Sequence, residues 1–217
     1  MLIDEELNKF KEKLLTMGSY AESAVSQAVQ ALSDRNDKLA LQVQNNDDIM
    51  DQFEVEIDNT AIQLLAKAPL ASDLRLITVA TKISGNLERI GDEATTISRR
   101  AIELNHEPQL KAYVDIPRMA KIALQMLKDS LDAFVHKRPE LARDVIPRDK
   151  EVDALNRQLY RELSSYMIEN PSTISRCLNL MTVSKSLERV ADHATNIAQE
   201  VVYLCEARDI RHEAHKP

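Results

Sequence analysis

Two short runs of the 217-residue chain hold groups that can do chemistry together. Glu88, Arg89 and Asp92 stand in one run, and Glu188, Arg189 and Asp192 in the other. Residues four apart on a helix share a face, about 40° from one another. Two more acid pairs keep that spacing, Asp47 with Asp51 and Asp149 with Asp153. Sets of oxygen ligands suit hard cations such as Mg, Ca, Mn or ferric iron. The competing reading is a solvated acidic face with Arg89 and Arg189 as neutralising partners. Like-charge pairs at this spacing cost only about 0.2–0.5 kcal/mol on an exposed helix, so such a face is tolerable. Taken alone, one pair does not decide between the two.

The elements that position these acids are helices. Leu87, Ile90, Ala94, Ile97, Ala101 and Leu104 follow alternating steps of three and four, as do Leu187, Val190, Ala194, Ile197, Val201 and Leu204. That is the spacing of a bundle helix with one buried stripe. The two sets differ by 100 throughout, and eight of eighteen positions match between Leu87–Leu104 and Leu187–Leu204, which marks an internal repeat. Six main helices are predicted. They cover about Asp4–Ser33, Asp37–Lys67, Leu70–Leu104, Ile116–His136, Arg148–Glu169 and Pro171–Arg208. Pro69 ends the second. Asp115 is expected as N-cap of the fourth, with Pro117 in its first turn. Pro139 opens a short helical turn that stops before Pro147. Asn170-Pro171 reads as an N-cap followed by an N1 proline. The linker is Asn105–Asp115. The expected architecture is all-α: two tandem antiparallel three-helix bundles, residues 1–108 and 109–217.

Counting back from the turns sets the level of each acid. In an antiparallel hairpin turning near Pro171, Asp149 falls level with Asp192 and Asp153 with Glu188. Around Pro69, Asp47 and Asp51 fall beside Asp92 and Glu88. Each half thus gathers four carboxylates in one patch, which this count places on the outside of the bundle. Glu54 and Asp58 extend the first row, where the second has Asn156 and Tyr160. No histidine stands at a Glu-x-x-His spacing within these pairs. His193 occupies the place of Glu93 and reads as a surface polar residue or a metal-site neighbour. Arg75, after Asp73-Leu74, reads as an ion-pair partner or part of an anion site. His212 and His215 belong to a polar tail.

Composition narrows the function. Glycine occurs three times and tryptophan never, while helix formers dominate. A net charge of −7 argues against a general nucleic-acid or anionic-membrane binder. No apolar run approaches the roughly 20 residues of a membrane span, and the acidic start lacks the pattern of a signal peptide. Cys177 and Cys205 share one predicted helix, roughly 40 Å apart, too far for a disulfide. Glycine-rich phosphate loops, Ser-His-Asp order and Cys clusters do not occur, so nothing supports nucleotide binding or nucleophilic catalysis.

With the motifs Leu87-Glu88-Arg89-Ile90-Gly91-Asp92 and Leu187-Glu188-Arg189-Val190-Ala191-Asp192, the Asp73-Leu74-Arg75 run and the duplicated three-helix pattern, the chain resembles the PhoU family of phosphate-uptake regulators over nearly its whole length. Ala191 departs from the glycine frequent there, and Ser175 stands where the first half has Arg75. The resemblance implies a cytoplasmic, non-enzymatic regulator, commonly a homodimer, that couples the phosphate ABC transporter, through its ATPase subunit, to the phosphate-sensing histidine kinase and represses starvation signalling when phosphate is plentiful. It also implies a multinuclear metal cluster, of iron or another metal such as Mn, Zn, Ca or Mg, on Asp47, Asp51, Glu88 and Asp92 in one half and Asp149, Asp153, Glu188 and Asp192 in the other. The alternatives weighed are a carboxylate-bridged di-metal enzyme and a plain helical scaffold with a solvated acidic face.

Overall fold

Regular structure in the computed structural model, which describes residues 2–67 and 70–211, is helical throughout. The break expected at Pro69 and the tail residues His212 and His215 lie outside the described residues. The helices are α1 (Leu2–Ser33), α2 (Asp37–Asn45), α3 (Asp47–Leu65), α4 (Ala71–Asn105), α5 (Asp115–His136), α6 (Pro139–Val145), α7 (Asp149–Glu169) and α8 (Ile174–Glu206). Single 3-10 turns at Ile146–Arg148 and Pro171–Thr173 lead into α7 and α8.

Helix by helix the two halves correspond: α1 with α5, α2 and α3 with α6 and α7, α4 with α8. The correspondence extends to the turns. Arg35 and Lys137 both adopt left-handed backbone, with φ of 52° and 50°. Each lets the next N–H reach back to a carbonyl five residues earlier, Asn36 to Ala31 (2.8 Å) and Arg138 to Ala133 (2.9 Å), a Schellman-type helix end. Asn36 then caps α2 through its side chain, accepting from the Leu39 amide at 3.2 Å.

Two expectations about helix ends change. The second predicted helix is broken in two: Asn46 leaves the helical region (ψ 3°), its N–H reaching the Gln42 and Val43 carbonyls, and α3 begins anew at Asp47. Asparagine competes for backbone hydrogen bonds and is a poor interior helix residue, and here two stand together. At the start of α5, Asp115 is inside the helix and Val114 is the N-cap, without a side-chain cap bond. Asn170 behaves as expected, its side chain accepting from the Ser172 amide at 3.0 Å.

The predicted stripes are the core. Leu87, Ile90, Ala94, Ile97 and Ala101 of α4 are fully buried, as are Leu187, Val190, Ala194, Ile197 and Val201 of α8. One apolar cluster runs through both repeats. Its largest helix–helix interface joins α4 to α8, and α1 also packs on α5, so the halves share a core. Gly18 permits the α1–α5 approach, since a Cβ there would stand 2.6 Å from Leu131 Cδ1. α4 and α8 are antiparallel: Lys82 meets Glu200, Asn86 meets His193 and Glu93 meets Arg189. The pseudo-dyad relating the repeats therefore passes close to Gly91 and Ala191. The linker is pinned between the halves. Arg35 donates to the carbonyls of Asn105 and Glu107, Arg176 donates to that of Pro108 at 3.0 Å, and Lys111 pairs with Glu162 at 2.5 Å.

Candidate functional site

α3 lies along α4, and α7 along α8. Each of these outer helices turns its acidic face toward the Glu-Arg-x-x-Asp run of its neighbour. Two carboxylate clusters result, one on each side of the pseudo-dyad.

In the second cluster Asp149 and Asp153 of α7 meet Glu188 and Asp192 of α8, as the hairpin count expects. Asp149 is pushed up to about 6, first by burial and then by the charges of Asp153 and Glu188. Asp192 is raised to about 6 as well, by desolvation, then by Asp149 and Glu188, with Lys185 opposing and Asp153 adding least. Lys185 stands 2.5 Å from Glu188 Oε2, and Arg157 stands 3.6 Å from Asp153. The Asp149 Oδ1 atom is buried and accepts no hydrogen bond. A buried acceptor without a donor is costly, so this oxygen is open to a cation or a proton.

In the first cluster the membership shifts by one residue. Glu88 is raised to about 7, mainly by burial and then by Asp92, with Arg89 opposing and with Glu54 and Asp51 adding to the rise. Glu54 is raised too, by burial and then by Asp58, with Asp51 and Asp92 contributing. Asp51, Glu54, Glu88 and Asp92 therefore share one electrostatic site. Asp47 is turned aside: its Oδ1 accepts from the Thr95 hydroxyl at 3.0 Å. Glu54 is the residue that motif spacing left out of the ligand set. Its signal was present, three residues after Asp51 and seven after Asp47 on one helix face.

Placement on the outside of the bundle holds only in part. The Glu88 and Glu188 side chains are 15% and 13% exposed, because α3 and α7 cover them. Asp51 and Asp192 stay exposed. The two central glutamates are thus desolvated, Asp92, Asp149 and Asp153 are half-buried, and Asp51 and Asp192 keep an exposed edge. Among the described residues no three Asp, Glu, His or Cys side chains converge as placed into a set that holds an ion. Mutually repelling carboxylates spread in this way, and a cation reverses the preference. The donor set fits a hard cation: all oxygen, one deep glutamate in each cluster, and an unpartnered Asp149 oxygen in the second.

The clusters open onto a common groove of about 760 Å³ over the α4–α8 seam. It is lined by equivalents from both repeats: Arg89 and Arg189, Asp92 and Asp192, Thr95 and Thr195, Thr96 and Asn196. The dyad is imperfect at one pair. Glu93 of α4, almost fully buried, accepts from Arg189 at 3.1 Å across the seam. Its counterpart is His193, whose Nδ1 lies 2.9 Å from Asn86 Oδ1 and whose pKa burial lowers. Arg89, left without the matching glutamate, turns back on its own helix, 3.4 Å from both Glu88 and Asp92.

The repeat structure has a counterpart among known proteins. The PhoU domain matches the chain twice, over residues 14–101 and 116–201. The chain is 43% identical over 209 residues to the phosphate-specific transport system accessory protein PhoU homolog of Pseudomonas aeruginosa, covering 95% of this chain and 86% of that one. It is 41% identical to the protein of that name from Aquifex aeolicus, covering 98% and 97%. In three dimensions it is similar to the crystal structure of PhoU from Pseudomonas aeruginosa, with a TM-score of 0.91 at 42% identity over 94% of this chain and 99% of that one. The crystal structure of the phosphate transport system regulatory protein PhoU from Streptococcus pneumoniae aligns with a TM-score of 0.90 at 28% identity, over 95% and 98%.

Proposed function

Because the chain belongs to the PhoU family, we propose that it regulates phosphate uptake as the accessory protein of a phosphate-specific transport system. The observation that carries this is the match of both repeats, end to end, to relatives of that name. In its finer form the proposal is a cytoplasmic regulator, assembled as a homodimer, that links the transporter's ATPase subunit to the phosphate-sensing histidine kinase and represses starvation signalling in high phosphate. No described helix is long and apolar enough to cross a membrane. The test is deletion of the gene with a starvation reporter read in high phosphate. Derepression supports the regulator; unchanged output overturns it.

The two clusters are the working surface of this reading. Asp149, Asp153, Glu188 and Asp192 would hold a metal in one half, and Asp51, Glu54, Glu88 and Asp92 in the other, with Asp47 within the same groove as Asp92. When bound, the metal neutralises the carboxylates and offers coordination positions to a phosphate oxygen or a partner's carboxylate. The chain supplies the rest. α3 and α7 hold the acids at fixed height, the apolar stripes keep α4 and α8 rigid, and Arg89, Arg189 and Lys185 set the charge that remains. The chain acts by binding and not by turnover. Metal analysis of protein purified without chelator, followed by calcium, manganese and iron titration, tests the cluster. Affinity no tighter than millimolar would remove metal from the proposal. Steady phosphoester hydrolysis by the purified protein would remove the non-enzymatic reading.

A further inference from the structure

A second cleft, of about 460 Å³, lies where the start of α4 meets α1, the C-terminal end of α5 and the C-terminal end of α8. It is separate from the carboxylate clusters. Arg75 precedes Glu88 by thirteen positions on α4, about 20 Å along the helix axis. Three cations from three helices line it: Lys11 of α1, Arg75 of α4 and Lys137, the residue that ends α5.

The cations are not there to pair with carboxylates. Among the described residues none of the three stands within 4 Å of a carboxylate oxygen as an ion pair. Arg75 instead lies over the Tyr203 ring, 6.0 Å from its centroid, which holds the guanidinium in place while leaving its N–H donors available. Lys137 is held in left-handed backbone by the helix end it forms. Lys11 and Lys137 are close enough that their charges repel, and burial and this repulsion lower Lys11, with Asp73 opposing. Two ammonium groups held near one another, with Asp73 offsetting only part of their charge, are the complement of an anion. The first turn of α4 completes the wall. Its N-cap, Leu70, supplies no side-chain acceptor, and Ser72 contributes a hydroxyl. The N-terminal turn of a 35-residue helix, its dipole partly offset by Asp73, therefore borders the same cleft.

Two acids, Asp4 and Asp73, share the wall. They set selectivity. With three cations against two carboxylates the cleft is not a sink for any anion, and the favoured ligand carries enough charge and enough acceptors to engage both lysines and Arg75 at once. A tetrahedral phosphate group does so, because Arg and Lys bind its oxygens as fork and point charge respectively. The volume exceeds that of one phosphate and matches small-molecule sites generally.

We propose that this cleft binds a phosphate group, free or on a small molecule, through Lys11, Arg75, Lys137, Ser72 and the first turn of α4. The site is distinct from the carboxylate clusters, and its assay reads binding, so its failure leaves the regulator reading, which is tested by reporter output, untouched. The experiment is isothermal titration of the full chain as purified with inorganic phosphate, pyrophosphate and AMP in turn, at low and at raised salt. Saturable binding that salt weakens is expected for at least one probe. Saturation by inorganic phosphate or pyrophosphate identifies a free oxyanion, and saturation by AMP alone identifies a phosphate ester. Lys137→Ala is expected to weaken binding by about tenfold or more, as loss of a charged hydrogen-bond donor does, and Lys11→Met is expected to act alike. Arg75→Lys retains charge but loses the fork and should weaken binding less than Arg75→Ala. Circular dichroism verifies that each variant is folded. Lys121→Ala, at an exposed cation of α5 outside both clefts, is the control and leaves affinity unchanged. Absence of saturable binding by all three probes, or equal affinity in the Lys11→Met/Lys137→Ala double variant, overturns the proposal.

Discussion

Replacing Glu88 with Gln should stabilise the metal-free protein at alkaline pH. The glutamate is covered by α3 and faces Asp92, Glu54 and Asp51, and its pKa rises from 4.5 to about 7. The folded chain therefore binds this proton more tightly than the unfolded chain does. Between those two values the folded state holds more protons, so stability falls as pH rises through the window. At about 1.36 kcal/mol per unit the shift corresponds to a ceiling of roughly 3 kcal/mol. The carboxylate edge still meets water between α3 and α4, and screening leaves about 1–2 kcal/mol. Glutamine has the shape of the protonated acid and lacks the charge, so it removes that penalty. For a chain of this length, that energy raises the melting temperature by about 2–8 °C. The assay is thermal unfolding in chelator, wild type against variant, at about pH 8 and about pH 5. The gain should be present at the higher pH and absent at the lower, where both side chains are neutral. A variant less stable than wild type at about pH 8 would refute the reasoning, since it would show the charged glutamate to be held by donors and not strained by neighbours.

Three further outcomes follow from the geometry. Titrating metal into Glu88→Gln and Asp149→Asn should separate two affinity classes, with the tighter lost in Glu88→Gln. The first cluster has Asp58 nearby and only Arg89 opposing, whereas Lys185 and Arg157 oppose the second. Equal affinities in the two variants would refute this. Lys82→Ala should destabilise more than Glu200→Ala in denaturant unfolding. Glu200 is 5% exposed and would keep only Arg211, at 3.4 Å, while Lys82, 38% exposed at its side chain, can turn to water. Gly91→Ala should cost about 1–2 kcal/mol despite better helix propensity, because its Cβ meets Met50 Cγ at 3.0 Å and Cβ at 3.4 Å and the packed methionine must give way; unchanged stability in equilibrium unfolding would contradict that.

Much of the arrangement is legible in the sequence, for a physical reason. The stripes from Leu87 and Leu187 keep a period that only a helix buries on one side, and both are buried. The level of Asp149 with Asp192 follows from counting along two helices from the turn at Asn170-Pro171. The break at Asn46 is weakly written, because asparagine tolerates a helix where proline does not. Its equivalent in the second half is the turn that contains Pro147, so the repeat offers the missing sign. The aside of Asp47 toward Thr95 is a choice of side-chain partner, and spacing alone carries no trace of it. Least legible are the bonds across the seam, Arg189 to Glu93 and Lys82 to Glu200, because they depend on antiparallel docking of helices more than 60 residues apart in the chain.

That docking explains why the repeat is imperfect where it is. Glycine at 91 lets α3 sit against α4 with Met50 at contact distance, and so brings Asp51 and Glu54 over Glu88. Alanine at 191 sits at the same place opposite α7, and there the position equivalent to Glu54 is Asn156, whose Oδ1 accepts from Ser184 at 2.6 Å. An amide tied to a neighbouring hydroxyl adds no charge to the second cluster. Its acids are balanced further by Lys185 and Arg157. On the other side of the dyad, His193 in place of Glu93 releases Arg89 from the seam to face the first cluster's own acids. The asparagine at 156, Lys185 and Arg157 leave the second cluster the more neutral, and Arg89 offsets only part of the charge of the first. Two clusters with one backbone plan therefore differ in electrostatic depth, and a ligand reaching the groove between them meets two unequal walls.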